Sequence, residues 1–290
     1  MTQETITFLP KKTIWALVIL FFLTSGCTTV IVRPFMDPLT LALQKQTDLK
    51  LIEEGAPSLL LLLDGLIDSD PDNESFLMTG AKAYGGYASI LNEDGHVDRA
   101  VNMSIKARQY GITLLKQLPG LENIENSSLD DIEHALKQIS SSKVGHLFWG
   151  AYGWAVWIQY QQGAPAAMAD LPIVERIMLR VVELDESYYY GGAHIFLGTY
   201  YGSRPPILGG KPEESRKHFE RALALNKRKF LLTQVAYAES YARTAFDRDL
   251  YLQLLAEVIK QPLENDDLAS SNKLAKVMAE KLIGQVDEFF

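Results

Sequence analysis

Apolar residues recur along this chain at helical spacing, in segments ended by proline, glycine and polar clusters. In Pro212–Leu225 ("PEESRKHFERALAL") Phe219, Ala222 and Leu223 fall at i, i+3 and i+4, with Arg216, Lys217 and Arg221 largely off that stripe. Pro212 suits a first helical position, and Glu213 and Glu214 lie where the helix dipole favours negative charge. Three segments end alike: Leu66–Pro71, Val181–Glu186 and Ala222–Lys227. Each is followed by a segment rich in small and aromatic residues, starting at Phe76, Tyr189 and Phe230, and a fourth such start is Leu147. Strictly alternating Val, Ile and Thr runs are missing beyond the first thirty or so positions, so the pattern predicts an all-α protein.

The predicted helices are Met36–Gln46 with Glu53–Asp68, Phe76–Leu91 with Asp98–Leu118, Val144–Tyr160 with Leu171–Leu184, Tyr189–Tyr201 with Glu213–Leu225, and Phe230–Thr244 with Arg248–Ile259. Asp130–Ile139 reads as a short extra helix. Leu268–Phe289, with Lys273, Lys276, Glu280 and Lys281, reads as a C-terminal capping helix with a wet outer face. The small residues inside the stripes and the recurring ends predict an α-solenoid of tetratricopeptide-like helix pairs, right-handed, though loops such as Asn92–Val97 and Arg204–Lys211 break a strict period. A non-repetitive bundle is the alternative. Leu59–Leu63 leave no polar face, which predicts a helix covered on more than one side.

The segment Val144–Ile158 carries no Asp, Glu, Lys or Arg and holds Phe148, Trp149, Tyr152, Trp154 and Trp157. Trp149 and Trp154 point roughly 140° apart on a helix, so both sides need apolar neighbours. One reading makes these rings core filling between repeats. The other sets Trp149, Trp154 and Trp157, with Tyr200 and Tyr201, on a groove or partner surface that suits a hydrophobic ligand.

The N-terminal residues change the picture of where the protein works. Lys11-Lys12 precede an apolar run from Ile14 to Leu23 and then Thr24-Ser25-Gly26-Cys27. The run is well short of the roughly 20 residues that span a bilayer. Its parts are those of a secretory signal, and the junction resembles a bacterial lipobox, with Thr24 where leucine is usual. This predicts a lipoprotein signal peptide over residues 1–26, acylation of Cys27, a tether over 27–36 and the helical-repeat domain over 37–290. An uncleaved membrane helix with an incidental cysteine is the alternative. Thr28 rather than aspartate after the cysteine points, by analogy with lipoprotein sorting, to the outer membrane facing the periplasm.

Removing residues 1–26 deletes Glu4, Lys11 and Lys12 and takes the formal net charge from −8 to −9. Such an acidic chain has no footprint for nucleic acid. No catalytic, metal or cofactor motif emerges. The five histidines form no H-E-x-x-H, and one cysteine permits no CxxC. Gly209-Gly210-Lys211 lacks the upstream glycine and Ser/Thr of a phosphate loop.

Several segments together resemble one family: "DSDPDN" at Asp68–Asn73, "ARQYGITLL" at Ala107–Leu115, "FWGAYGWAVWI" from Phe148, "ADLPIVERIMLRVVELDESYYYGGAH" at Ala169–His194 and, clearest, "SRPPILGGKPEESRKHFERALAL" from Ser203. The chain resembles the T component of tetratricopeptide-associated TRAP transporters (TatT) from about Met36 to Phe290, with Ser215 where a small alanine is more usual. The resemblance implies a periplasmic lipoprotein that binds the solute-binding P component, which hands solute to inner-membrane permease subunits, and a hydrophobic or amphipathic solute. The alternative is a lipoprotein scaffold for envelope assembly on the same fold. Either role allows a homo-oligomer.

Overall fold

The computed structural model describes residues 41–290 except Asn265, and of Leu208 only the backbone. The signal peptide, Cys27 and the tether lie outside the described residues, as do residues 36–40 of the predicted helix from Met36, of which residues 41–45 are helical. Among the described residues the fold is all-helical, without a strand.

The principal helices are α1 (Leu49–Ser69), α2 (Glu74–Glu93), α3 (Val97–Lys116), α4 (Leu129–Gln138), α5 (Val144–Tyr160), α6 (Pro165–Ala169), α7 (Leu171–Asp185), α8 (Tyr188–Gly202), α9 (Pro212–Leu225), α10 (Leu232–Tyr237), α11 (Arg248–Lys260), α12 (Ala269–Gly284) and α13 (Val286–Phe289). Several start where a side chain satisfies the free amides of the first turn. Asp48 accepts from the amides of Lys50 and Leu51, Asn73 from Phe76, Ser128 from Asp131 and Asp247 from Leu250.

Helices α2 and α3 pack together, as do α3 and α5, α5 and α7, α8 and α9, and α11 and α12. Glycines set the α3–α5 crossing. An added Cβ on Gly111 would lie 2.6 Å from the Gly150 carbonyl oxygen, so the two backbones touch there. Beyond α8 the core passes through Phe219, whose ring stacks on Tyr237 with centroids 4.7 Å apart, to Tyr251, Leu254 and Leu255.

Four details differ from the sequence reading. The leucine run is not covered all round: Leu60 and Leu63 are buried, but Leu61 is 72% and Leu62 44% exposed. The predicted Phe230–Thr244 helix is split, its second half, Ala238–Ala242, being a π-helical turn. The predicted helix from Tyr189 starts irregularly, with Tyr189, Tyr190 and Gly191 at φ of 46°, 61° and 76°. The last helix also does more than face water. Lys276 donates to the carbonyls of Val258 (3.0 Å) and Ile259 (2.6 Å), capping the C-terminal turn of α11. Lys281 reaches Glu93 at the end of α2, with 3.1 Å between charged atoms, and α12 also touches α1. The chain therefore returns to its first described helices.

Candidate functional site

The five aromatic residues singled out above occupy three environments. Trp154 has no exposed surface, and its indole N–H donates to Asp170 Oδ2 at 2.9 Å. It is core, not groove. Trp157 is half-buried under the Arg108 guanidinium, 4.7 Å from the ring centroid. Tyr201 is buried and donates to Glu175 at 2.6 Å, while half-buried Tyr200 stacks parallel to Phe196 and lies under Arg204.

Trp149 belongs to the third environment, an aromatic cluster between α2, α5 and the start of α8. Its N–H donates to the Tyr188 hydroxyl at 3.1 Å. Its ring meets Phe148, Tyr152 and Tyr189 edge-on at centroid distances of 4.9, 5.3 and 4.6 Å. Such edge-to-face pairs place positive ring edges on negative faces. Two neighbouring glycines make room: a Cβ on Gly192 would lie 2.6 Å from the Phe148 ring, and one on Gly85 2.6 Å from Tyr152. The left-handed conformation of Tyr189 and Tyr190 costs about 1–3 kcal/mol each for non-glycine residues. It swings the Tyr189 ring onto Trp149.

Lys82 completes this cluster. Its Nζ lies over Trp149 and Tyr189, 5.5 and 5.3 Å from the ring centroids. Burial lowers its pKa, with a smaller opposing pull from Asp267, and burial pushes the Tyr189 phenol up to about 12. Sequence reasoning missed Lys82. The available signal was that it is the sole charged residue between Glu74 and Glu93.

A second polar cluster joins α8 and α9. His194 and His218 face each other through Nδ1 atoms 2.7 Å apart, and His194 Nε2 lies 3.3 Å from Glu186, which also pairs with Arg221. The Tyr201 ring flanks His218, with Glu214 and Lys217 nearby on its own helix. Burial lowers both imidazoles, His218 to about 4, helped there by His194. A histidine lowered on folding lets the unfolded chain bind protons first. Stability is therefore full above about pH 6.5, the ordinary histidine value, and falls as pH drops toward about 4. Melting temperatures across that window should show the loss, and His218→Asn should reduce it, with His194 still contributing; a wild-type profile without slope refutes the assignment.

Among the described residues one group brings three metal-capable atoms within 4.8 Å of one another, from Glu53, Asp94 and His96. The Lys50 ammonium, 2.7 Å from Glu53 and 3.6 Å from Asp94, already supplies positive charge there. No helix among the described residues is long and apolar enough to cross a membrane.

These features define an all-helical protein whose candidate site is an aromatic cluster around one cation. The family model for the TRAP transporter T-component (TAtT) matches residues 45–290, and the chain belongs to that family. It is thereby tied to TRAP-type transport as an accessory component, not to a known enzyme family. No curated protein matches the sequence.

Proposed function

We propose that this protein is a lipid-anchored periplasmic accessory that docks the solute-binding P component of a TRAP system and holds an apolar ligand against half-buried aromatic rings. Cys27 carries the acyl anchor in the outer membrane, and the helices form a tetratricopeptide-like solenoid. The observation that carries the reading is the family match over nearly all described residues, joined to half-buried rings such as Trp157 and Tyr200 that are open to contact.

Co-purification of the full chain with the P component of the same transport system tests this. Wild type is expected to retain it. Tyr200→Ala should weaken retention about tenfold, equivalent to about 1.4 kcal/mol, with circular dichroism unchanged. Failure of the wild-type chain to retain the P component, with envelope-assembly proteins co-isolated instead, would move the protein to the scaffold role.

A further inference from the structure

The group of Glu53, Asp94 and His96 differs from a chance cluster of surface charges in that one of its carboxylates is buried. Glu53 lies on α1 with its side chain only 8% exposed. Its backbone carbonyl accepts from the Tyr87 hydroxyl at 3.0 Å, and Arg99 donates to that hydroxyl at 3.1 Å. Asp94 and His96 come from a different element, the turn between α2 and α3, where they flank Gly95. That glycine takes φ 84°, and the His96 amide returns to the Leu91 carbonyl at 2.8 Å. A left-handed glycine with such a returning amide is a fixed way of ending a helix, so the backbone behind both side chains is set by the fold. His96 also lines a cavity of about 300 Å³ with Gly95, Val97, Asp98 and Arg99, which gives a small ion an approach from solvent.

The spacing of the three ligand atoms is that of a metal's coordination shell. His96 Nε2 lies 3.5 Å from Glu53 Oε1 and 3.4 Å from Asp94 Oδ2. Ligands held about 2.1 Å from a tetrahedral zinc stand about 3.4 Å from one another. The imidazole selects against calcium and magnesium, which take oxygen ligands, and suits zinc. Charge points the same way. The Lys50 ammonium sits 2.7 Å from Glu53 Oε2 and 3.6 Å from Asp94 Oδ2, so a cation is already seated on both carboxylates. One ammonium compensates one carboxylate, whereas a divalent ion compensates two. The Lys50 side chain is 60% exposed, and an exposed lysine pair on one helical turn holds weakly. It can swing into water when an ion arrives.

We infer that Glu53, Asp94 and His96 form a zinc site in which the ion displaces Lys50, clips α1 to the turn between α2 and α3, and keeps its fourth position open to water. Asp94 and His96, both about half exposed, leave that position reachable. This goes beyond the proposed function and does not rest on it.

Calorimetric titration of zinc chloride into the chelator-stripped full chain in detergent tests this. Wild type should take up zinc at this site, and its melting temperature should rise with zinc concentration, since the ion binds the folded chain. His96→Ala and Asp94→Asn alter exposed side chains and should each lower zinc affinity at least about tenfold, with circular dichroism unchanged. Lys50→Met removes the displaced cation and should tighten zinc binding about two- to fivefold, the scale of one exposed ion pair. A cluster with a purely structural role would not respond in that direction. Excess calcium should leave zinc in place. The site is overturned by a wild-type chain that takes up no zinc, by undiminished affinity in His96→Ala and Asp94→Asn, by Lys50→Met binding no more tightly than wild type, or by displacement with calcium. Uptake that survives in His96→Ala but is lost in His218→Asn would put the ion at the other imidazole pair and overturn it equally. Co-purification of the P component is scored separately and stands or falls alone.

Discussion

Replacing Trp154 with alanine is expected to cost about 3–5 kcal/mol of folding stability, the range for deleting a buried aromatic side chain. The indole has no exposed surface and is wedged between α3 and the segment leading into α7, with Arg108 5.5 Å from its centroid. Its N–H is the donor to Asp170 Oδ2, so truncation leaves both a void and a carboxylate without that partner. Trp157→Ala, one turn along and half-buried, should cost clearly less. Trp154→Phe should recover part of the volume but not the hydrogen bond. Urea denaturation of the three variants measures this directly. A Trp154→Ala midpoint equal to wild type would mean that the indole is not structural, and would return it to the candidate binding surface.

The contrast between these two tryptophans shows what the sequence could and could not convey. Helical period and proline stops placed most helices within a few residues, and Val144–Tyr160 coincides with α5. An uncharged helix announces that all its sides are occupied, but not by what. Trp154 meets core and Trp149 meets a cation from a helix distant in sequence. Lys82 was hidden because its partners, Trp149 and Tyr189, lie on two other elements, and cation–π contacts leave no spacing signature. The left-handed turn at Tyr189–Gly191 was hidden for a related reason: tyrosine gives no local sign of positive φ, and tertiary contacts impose it. The exposed Leu61 and Leu62 mislead in the opposite direction, since composition alone reads as burial. The pairing of Lys281 with Glu93 joins residues 188 positions apart, where no periodicity reaches.

Gly153→Ala is the second large effect expected, and its sign runs against helix propensity. In an unobstructed helix interior the change would stabilise by about 1 kcal/mol, because glycine loses more backbone entropy than alanine. Here the new Cβ would lie 2.3 Å from the Ala107 carbonyl oxygen and 2.9 Å from its carbonyl carbon, both backbone atoms of α3. One turn earlier a Cβ on Gly150 would meet Leu115 at 2.4 Å and the Gly111 oxygen at 3.0 Å, so α5 cannot tilt away from one contact into free space at the next. Neither helix can give without moving the other. The overpacking penalty of about 1–3 kcal/mol, or more where backbone must shift, should exceed the propensity gain. Net destabilisation of about 2 kcal/mol is expected. Gly86→Ala on α2 is the matched control: nothing lies within 4 Å of its added Cβ, so it should be neutral to stabilising. Equal melting temperatures for the two alanine variants would show that α3 and α5 are not held backbone to backbone.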